Sequence, residues 1–401
     1  MFQVRFHKKQ EGEQTMNDFI YSYPVKVYFG EKAAAKALPA ELAKAGKTVM
    51  VAYGGGSVKR SGVYDEICGY LKEAGKEVVD FSGIMPNPTY KKVQEGAALV
   101  KEKGVDFILA VGGGSVIDCC KIIAAQAVTE KDIWEMEFKD HVYPTEFLPM
   151  GAIVTASGTG AEMNNGAVIT NEETKEKAGV LGAYANFAVL DSEYTMSLPD
   201  RQVISGAFDT LSHSMETYLG SPRDVTLSDE IAEAVMRNVI RNIRVLLKDM
   251  KDKKARTELM WASAMAENGI LKIGKVTDFQ AHQIEHQLGA YTDCNHGQGL
   301  AVIHPVLYRH MYKDGVEQFA RMAEQVWGIP SDGKTPEELA EAGIRALTEF
   351  IQEIGLPSTF TEMGLTDKSV LKKVADTCNL TAGCCKKLTR EEVLEILEEC
   401  W

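Results

Sequence analysis

No stretch of this chain is apolar enough to live in a bilayer. The most apolar region, Phe107 to Val128, is broken by three glycines, Asp118 and Lys121, and a charge at mid-span costs about 3 kcal/mol. No secretory leader is recognisable: the first fifteen residues, MFQVRFHKKQEGEQT, are polar throughout, read as a leader-like or tag-like extension, and are set apart from the fold. Positive charge is also short, with 44 Lys and Arg against 57 Asp and Glu and a net charge of -13. An acid excess supplies no basic stripe for nucleic acid or an anionic membrane surface. The eight cysteines include two adjacent pairs but no CxxC ladder, which predicts reduced thiols in a cytoplasm and no structural disulfide. Internal repeats and low-complexity linkers are absent as well.

What is present is enough chain for two domains: 401 residues exceed what one core usually organises, and 45% hydrophobic content is ordinary for a globular protein. From Met16 to Leu198 short β-rich runs alternate with helical ones. Val25–Phe29, Thr48–Tyr53, Glu77–Phe81, Asp106–Val111 and Met150–Thr155 read as strands, separated by helical patterns over 32–45, 62–74, 90–103 and 116–127. That alternation predicts a parallel, Rossmann-like sheet whose ligands sit at the carboxyl ends of the strands. From 199 to 401 the strands stop, and helical spacing over 205–219, 227–247, 255–271, 279–288, 315–327, 336–354 and 389–398 predicts an all-α second domain. Ser205 and Thr389 are candidate N-caps, the latter with Glu392 three residues on.

Two GGGS tetrads, Gly54-Gly55-Gly56-Ser57 and Gly112-Gly113-Gly114-Ser115, each follow a predicted strand. Glycine lets backbone N–H groups approach a phosphate, and a helix start adds favourable partial charge for an anion. Neither tetrad carries G-x-G-x-x-G or a G-K-[ST] ending, so the usual dinucleotide fingerprint and the P-loop are both disfavoured. A third loop, Thr155 to Glu162, again follows an apolar strand and offers the hydroxyls of Thr155 and Thr159.

Six of the eight histidines lie between His213 and His310. Asp209 with His213, and His282 with His286, are four apart, which puts each pair on one face of a helix. His296 precedes Gly297, a residue that frees the local backbone. One carboxylate and three imidazoles suit Zn²⁺ or Fe²⁺ with a position left for a substrate oxygen. His304 and His310 read as ordinary core or surface histidines. The same segment, His282-Gln-Ile-Glu-His286, matches the H-x-x-E-H pattern of a metalloprotease with Glu285 as base, a reading that leaves Asp209, His213 and the glycine loops without purpose.

The chain resembles the iron-containing (group III) alcohol dehydrogenases, above all their butanol dehydrogenase and NADPH-dependent aldehyde reductase branch. The likeness runs through YPVKVYFGE from Tyr23, YGGGSVKRSGVYD from Tyr53, GGGSVIDCCK from Gly112, SGTGAEMN from Ser157, GAFDTLSHSMETY from Gly206 and HQIEHQLGAYTDCNHGQGLAVIHP from His282. It implies a dehydroquinate synthase-like architecture with one divalent metal, Fe²⁺ or Zn²⁺, on Asp209, His213, His282 and His296. It makes His286 a proton-relay candidate near the nicotinamide, with Asp118 also near the chemistry. It puts the pyrophosphate on Gly112 to Ser115, the rest of the nucleotide beside Thr155 and Thr159, and the nicotinamide ribose on Lys177. Ala156 and Ala161 stand where the family often has threonine and serine. Members preferring NAD tend to carry an aspartate at the first tetrad, whereas here Lys59 and Arg60 follow Gly54 to Ser57, which implies NADP(H) over NAD(H). The implied reaction is reversible reduction of an aldehyde to a primary alcohol by a homodimer. On the same fold the alternatives are a dehydroquinate synthase-like lyase or a glycerol dehydrogenase-like polyol oxidoreductase.

Overall fold

The computed structural model describes residues 16–277 and 279–401, so the polar extension lies outside it. The chain divides into two compact units. One comprises Tyr23–Val203 with Lys251–Ala264, the other the described residues up to Ser22 with Ile204–Met250 and Met265–Trp401.

The first unit is built on eight strands: β1 (Lys26–Phe29), β2 (Thr48–Ala52), β3 (Glu77–Phe81), β4 (Phe107–Gly112), β5 (Met150–Val154), β6 (Gly166–Asn171), β7 (Glu176–Leu181) and β8 (Phe187–Leu190). Six form a sheet in the order β1-β8-β5-β4-β2-β3, with every pairing parallel. The central strands are buried on both faces, which is why β4 reads FILAVG without alternation. Met50, Ala52, Ile108 and Ala110 feed one core and Val49, Val51, Leu109 and Val111 the other. β2 and β4 are neighbours although β3 lies between them in sequence. The chain therefore winds outward in opposite directions from the β2/β4 seam, the switch point at which such sheets open a crevice.

β6 and β7 form a separate antiparallel hairpin, and β8 fills the place between β1 and β5. Neither stands out in the sequence. The hairpin strands carry Glu176, Lys177 and two glycines among their residues, and β8 has only four residues.

The second unit, among the described residues, holds helices and no strand of either sheet. Its first helix runs Asp200–Tyr218, starting just after Pro199, so Ser205 is a helix-interior residue rather than the expected cap. Its hydroxyl instead donates to Asn295 Oδ1. Thr389 and Glu392 do form the expected capping box. Two helices lie outside the expected set: Val370–Thr377, which has only eight residues, and His296–Met311, which opens on HGQG and tolerates Pro305. No helix among the described residues is long and apolar enough to cross a membrane. All eight cysteines are free thiols.

Candidate metal centre and nucleotide loops

The helix Asp200–Tyr218 aims Asp209 and His213 inward one turn apart, both buried. The helix Gln280–Thr292 does the same for His282 and His286. His296 is the first residue of the helix His296–Met311, whose N-cap Asn295 accepts the Gln298 N–H at 3.2 Å. Gly297 behind it is required for space rather than for backbone freedom: its φ is not positive, and a Cβ there would overlap the Ser205 backbone. Glycine thus lets two helices approach closely enough for His296 to reach Asp209.

Asp209 Oδ1 is the point of convergence. The Nε2 atoms of His213, His282 and His296 lie 3.8, 3.5 and 3.4 Å from it. Yet Asp209 Oδ1 and His282 Nε2 are buried without a hydrogen-bond partner among the described residues. A buried carboxylate oxygen in that position is costly unless something positive compensates it. Four ligands bound tetrahedrally at about 2.1 Å stand about 3.4 Å apart, so this spacing suits atoms that share one ion. The donor set, one carboxylate and three imidazoles, fits Zn²⁺ or Fe²⁺.

The electrostatics agree. Burial opposes ionisation of Asp209, but the His213 and His296 imidazoles hold its carboxyl well below the ordinary range. Burial keeps His213 below its usual value although Asp209 pulls upward, favouring the neutral ring that a metal ligand needs. Burial likewise opposes the cationic form of His282, and Glu216 and Asp209 override it, lifting the ring to about 10. A pocket that draws a proton so strongly draws a divalent cation for the same reason.

His286 stands one ring away, its centroid 5.8 Å from His282 and 5.5 Å from His296. Glu285, the base of the protease pattern, is wholly buried and bonded to His296 Nδ1, which removes it from any attacking water. His304 lies elsewhere in the core with Nε2 on Ser212 Oγ at 2.6 Å, and His310 pairs with Glu399 at 2.8 Å. Sequence reasoning missed Glu216. It lies on the Asp209 face two turns along, reaches His282 Nδ1 and accepts the Ala281 N–H at 2.7 Å. It also missed Phe279, which enters the second helix at φ 51° and packs 5.2 Å from the His282 ring and 5.9 Å from His213. A phenylalanine in the left-handed region costs of order 1–3 kcal/mol, and the bonds from Glu216 just beyond it help hold the turn.

In the other unit, the two GGGS tetrads leave the carboxyl ends of neighbouring strands β2 and β4. Gly113 caps the helix Gly114–Gln126, with Val116 and Ile117 N–H groups on its carbonyl at 3.0 and 3.2 Å, so the first N–H groups of the turn are free to meet an anion. The glycines also serve packing. A Cβ on Gly112 would overlap Val116, and one on Gly114 would overlap Thr159. Thr155 is tied to this turn by its N–H on Gly112 O at 2.9 Å. Ser263, unmarked in the sequence, accepts the Gly158 and Gly160 N–H groups at 2.9 and 3.1 Å and fixes the Thr155–Glu162 loop.

At the first tetrad Gly56 takes φ 93°, and Arg60 Nη1 lies 3.7 Å from where its Cβ would stand. Lys59 is otherwise engaged, over the Tyr53 and Tyr64 rings and 3.7 Å from Asp80 Oδ2. Asp118, expected near the chemistry, accepts the Val168 N–H at 2.9 Å and faces Lys121 at 3.4 Å. Lys177 is buried on β7, opposite Thr170.

Comparison with known proteins agrees with both halves. Residues 24–192 match the profile of the iron-containing alcohol dehydrogenases, and 203–401 that of the Fe-containing alcohol dehydrogenase C-terminal region. The chain is 38% identical to NADH-dependent butanol dehydrogenase A of Clostridium acetobutylicum, over 96% of this chain and 100% of that one. It is 35% identical to the NADPH-dependent aldehyde reductase YqhD of Escherichia coli, over 90% of this chain and 94% of that one. The crystal structure of NADH-dependent butanol dehydrogenase A from Thermotoga maritima superposes with a TM-score of 0.90 at 35% identity, covering 97% of this chain and 100% of that one. With sequence and fold in accord over nearly the whole chain, this chain belongs to the iron-containing alcohol dehydrogenase family.

Proposed function

We propose that this alcohol dehydrogenase interconverts primary aliphatic alcohols and aldehydes of butanol type, with NADP(H) preferred over NAD(H) and one Fe²⁺ or Zn²⁺ on Asp209, His213, His282 and His296. The convergence of three imidazole nitrogens on the partnerless Asp209 Oδ1 carries this reading. When bound, the metal supplies Lewis-acid polarisation of the carbonyl and the dinucleotide supplies the hydride. The chain's own residues do the rest. Asp209 and the three imidazoles fix the ion's place and charge. Gly112 to Ser115 present backbone N–H groups to the pyrophosphate, with Thr155 and Thr159 bordering them, and Lys177 meets the nicotinamide ribose. His286, adjacent to the cage, delivers the proton to the alkoxide oxygen, directly or through a water. Asp118 acts at one remove, holding β6 through the Val168 N–H.

The NADP(H) preference rests on Arg60, which flanks Gly54 to Ser57 and makes no ion pair among the described residues, so its guanidinium is available to a 2′-phosphate. The proposal extends to a homodimer through β1, an edge strand of the sheet among the described residues, and to a cytoplasmic setting, in keeping with eight reduced thiols. The test combines C2 to C8 aldehydes against NADPH and NADH with metal analysis of the same protein. Chelation should abolish turnover, Fe²⁺ or Zn²⁺ should restore it, and dinucleotide binding by fluorescence should persist throughout. Full turnover after complete metal removal would overturn the reading.

A further inference from the structure

The three imidazoles of the cage are not held alike. His282 Nδ1 bonds to Glu216 and His296 Nδ1 to Glu285, both acids being nearly or wholly buried. His213 Nδ1 is buried with no hydrogen-bond partner among the described residues, its ring fixed by stacking on His282 at 4.5 Å and 13°. We propose that Glu216 and Glu285 are positioning residues of the metal centre: each takes the Nδ1–H of one ligand imidazole, so that the Nε2 lone pair faces the ion. The inference rests on the cage assigned above.

The placement follows from helix geometry. Glu216 is seven residues beyond Asp209, two turns along the same face, and Glu285 is three beyond His282. A neutral imidazole carries one N–H, and an acceptor on Nδ1 decides which nitrogen keeps it. Each glutamate also brings a negative charge that faces the dication through the ring, strengthening the ring as a donor. The two differ in one respect. Glu216 also accepts the N–H groups of Ala281 and His282 at 2.7 and 3.3 Å, filling the place of the side-chain cap that Phe279 cannot provide. Glu216→Gln keeps an oxygen for the Ala281 N–H, so the helix start stays capped while the charge behind His282 is lost. Glu285 takes the His296 Nδ1–H on one oxygen and faces the Cys294 thiol with the other at 3.8 Å.

The test titrates metal-free enzyme with Co²⁺, reading affinity by chelator competition and geometry from the visible spectrum, for wild type, Glu216→Gln, Glu285→Gln and Asp209→Asn. Glutamine keeps the shape and one acceptor but drops the charge. Each glutamine variant should bind Co²⁺ about 10–100-fold more weakly with an altered spectrum, while its metal-free melting temperature stays close to that of wild type. Wild-type affinity and spectrum in both, alongside lost binding in Asp209→Asn, would overturn this proposal and leave the cage standing. Undiminished binding in Asp209→Asn would overturn the cage itself. A glutamine variant whose metal-free form melts far below wild type would assign that glutamate to the fold and remove it from the metal centre.

Discussion

The proposed nucleotide loops and the proposed metal cage solve opposite problems with opposite materials. The loops are made of backbone: Gly112 to Ser115 offer N–H groups, the three glycines lack a Cβ, and Val116 and Thr159 pack against them, with Ser263 fixing the loop that carries Thr159. The cage is made of side chains whose spacing is set by three helices, with Gly297 letting one come close. A backbone site should fail by steric intrusion and a side-chain site by loss of charge or donor. Buried acids in the two units differ too. Asp209 is kept ionised by imidazoles, whereas Glu137, behind β7, is pushed by burial up to about 7 although the Leu181 N–H donates to both its oxygens at 3.0 and 3.1 Å.

That contrast can be broken at several points. The largest effect is expected from Asp209→Asn: metal content should collapse and kcat/KM fall by about 10³ or more, the several kcal/mol a Lewis acid contributes, with NADPH binding retained. Normal metal content and activity in this variant would refute the side-chain account of the cage. Gly114→Ala should do the reverse. A methyl group driven against Thr159 costs about 1–3 kcal/mol, so KM for the dinucleotide should rise about tenfold or more while metal content is unchanged.

The two acids separate under pH. Glu137 ionises near 4.5 when unfolded and near 7 when folded. The folded state therefore keeps a proton the unfolded chain has released, and stability is lost as pH rises through that window. Glu137→Gln should melt higher than wild type by a margin that grows about 2–4 °C between pH 5 and 7.5; a margin independent of pH would mean Glu137 is ionised in the fold. The smallest change is expected at Arg60. Arg60→Ala should raise KM for NADPH by up to about fivefold, the 1 kcal/mol of an exposed ion pair, and leave that for NADH alone. An equal rise for both cofactors would remove Arg60 from the 2′-phosphate.

Much of this was legible because helices and strands write their period into the chain. Asp209 with His213 and His282 with His286 were identifiable as same-face pairs from four-residue spacing alone, and the tetrads were marked by glycine at strand ends. Glu216 was legible in principle, seven residues from Asp209 on a recognised helix, but a glutamate at that spacing usually faces solvent. Ser263 and Phe279 carried no signal, since one acts through a hydroxyl far along the chain and the other through a backbone angle.

The sequence by itself determined the class of fold, the donors available and the places where backbone could approach an anion, because these depend on local period and residue chemistry. Only the tertiary structure decided that β2 and β4 are neighbours, so that the two tetrads share one seam. Only it decided that His296 stands 3.4 Å from Asp209 as the likeness implied, and that glutamates stand behind two of the three imidazoles. Each of these is a distance between residues far apart in the chain, and such distances are fixed by packing rather than by pattern.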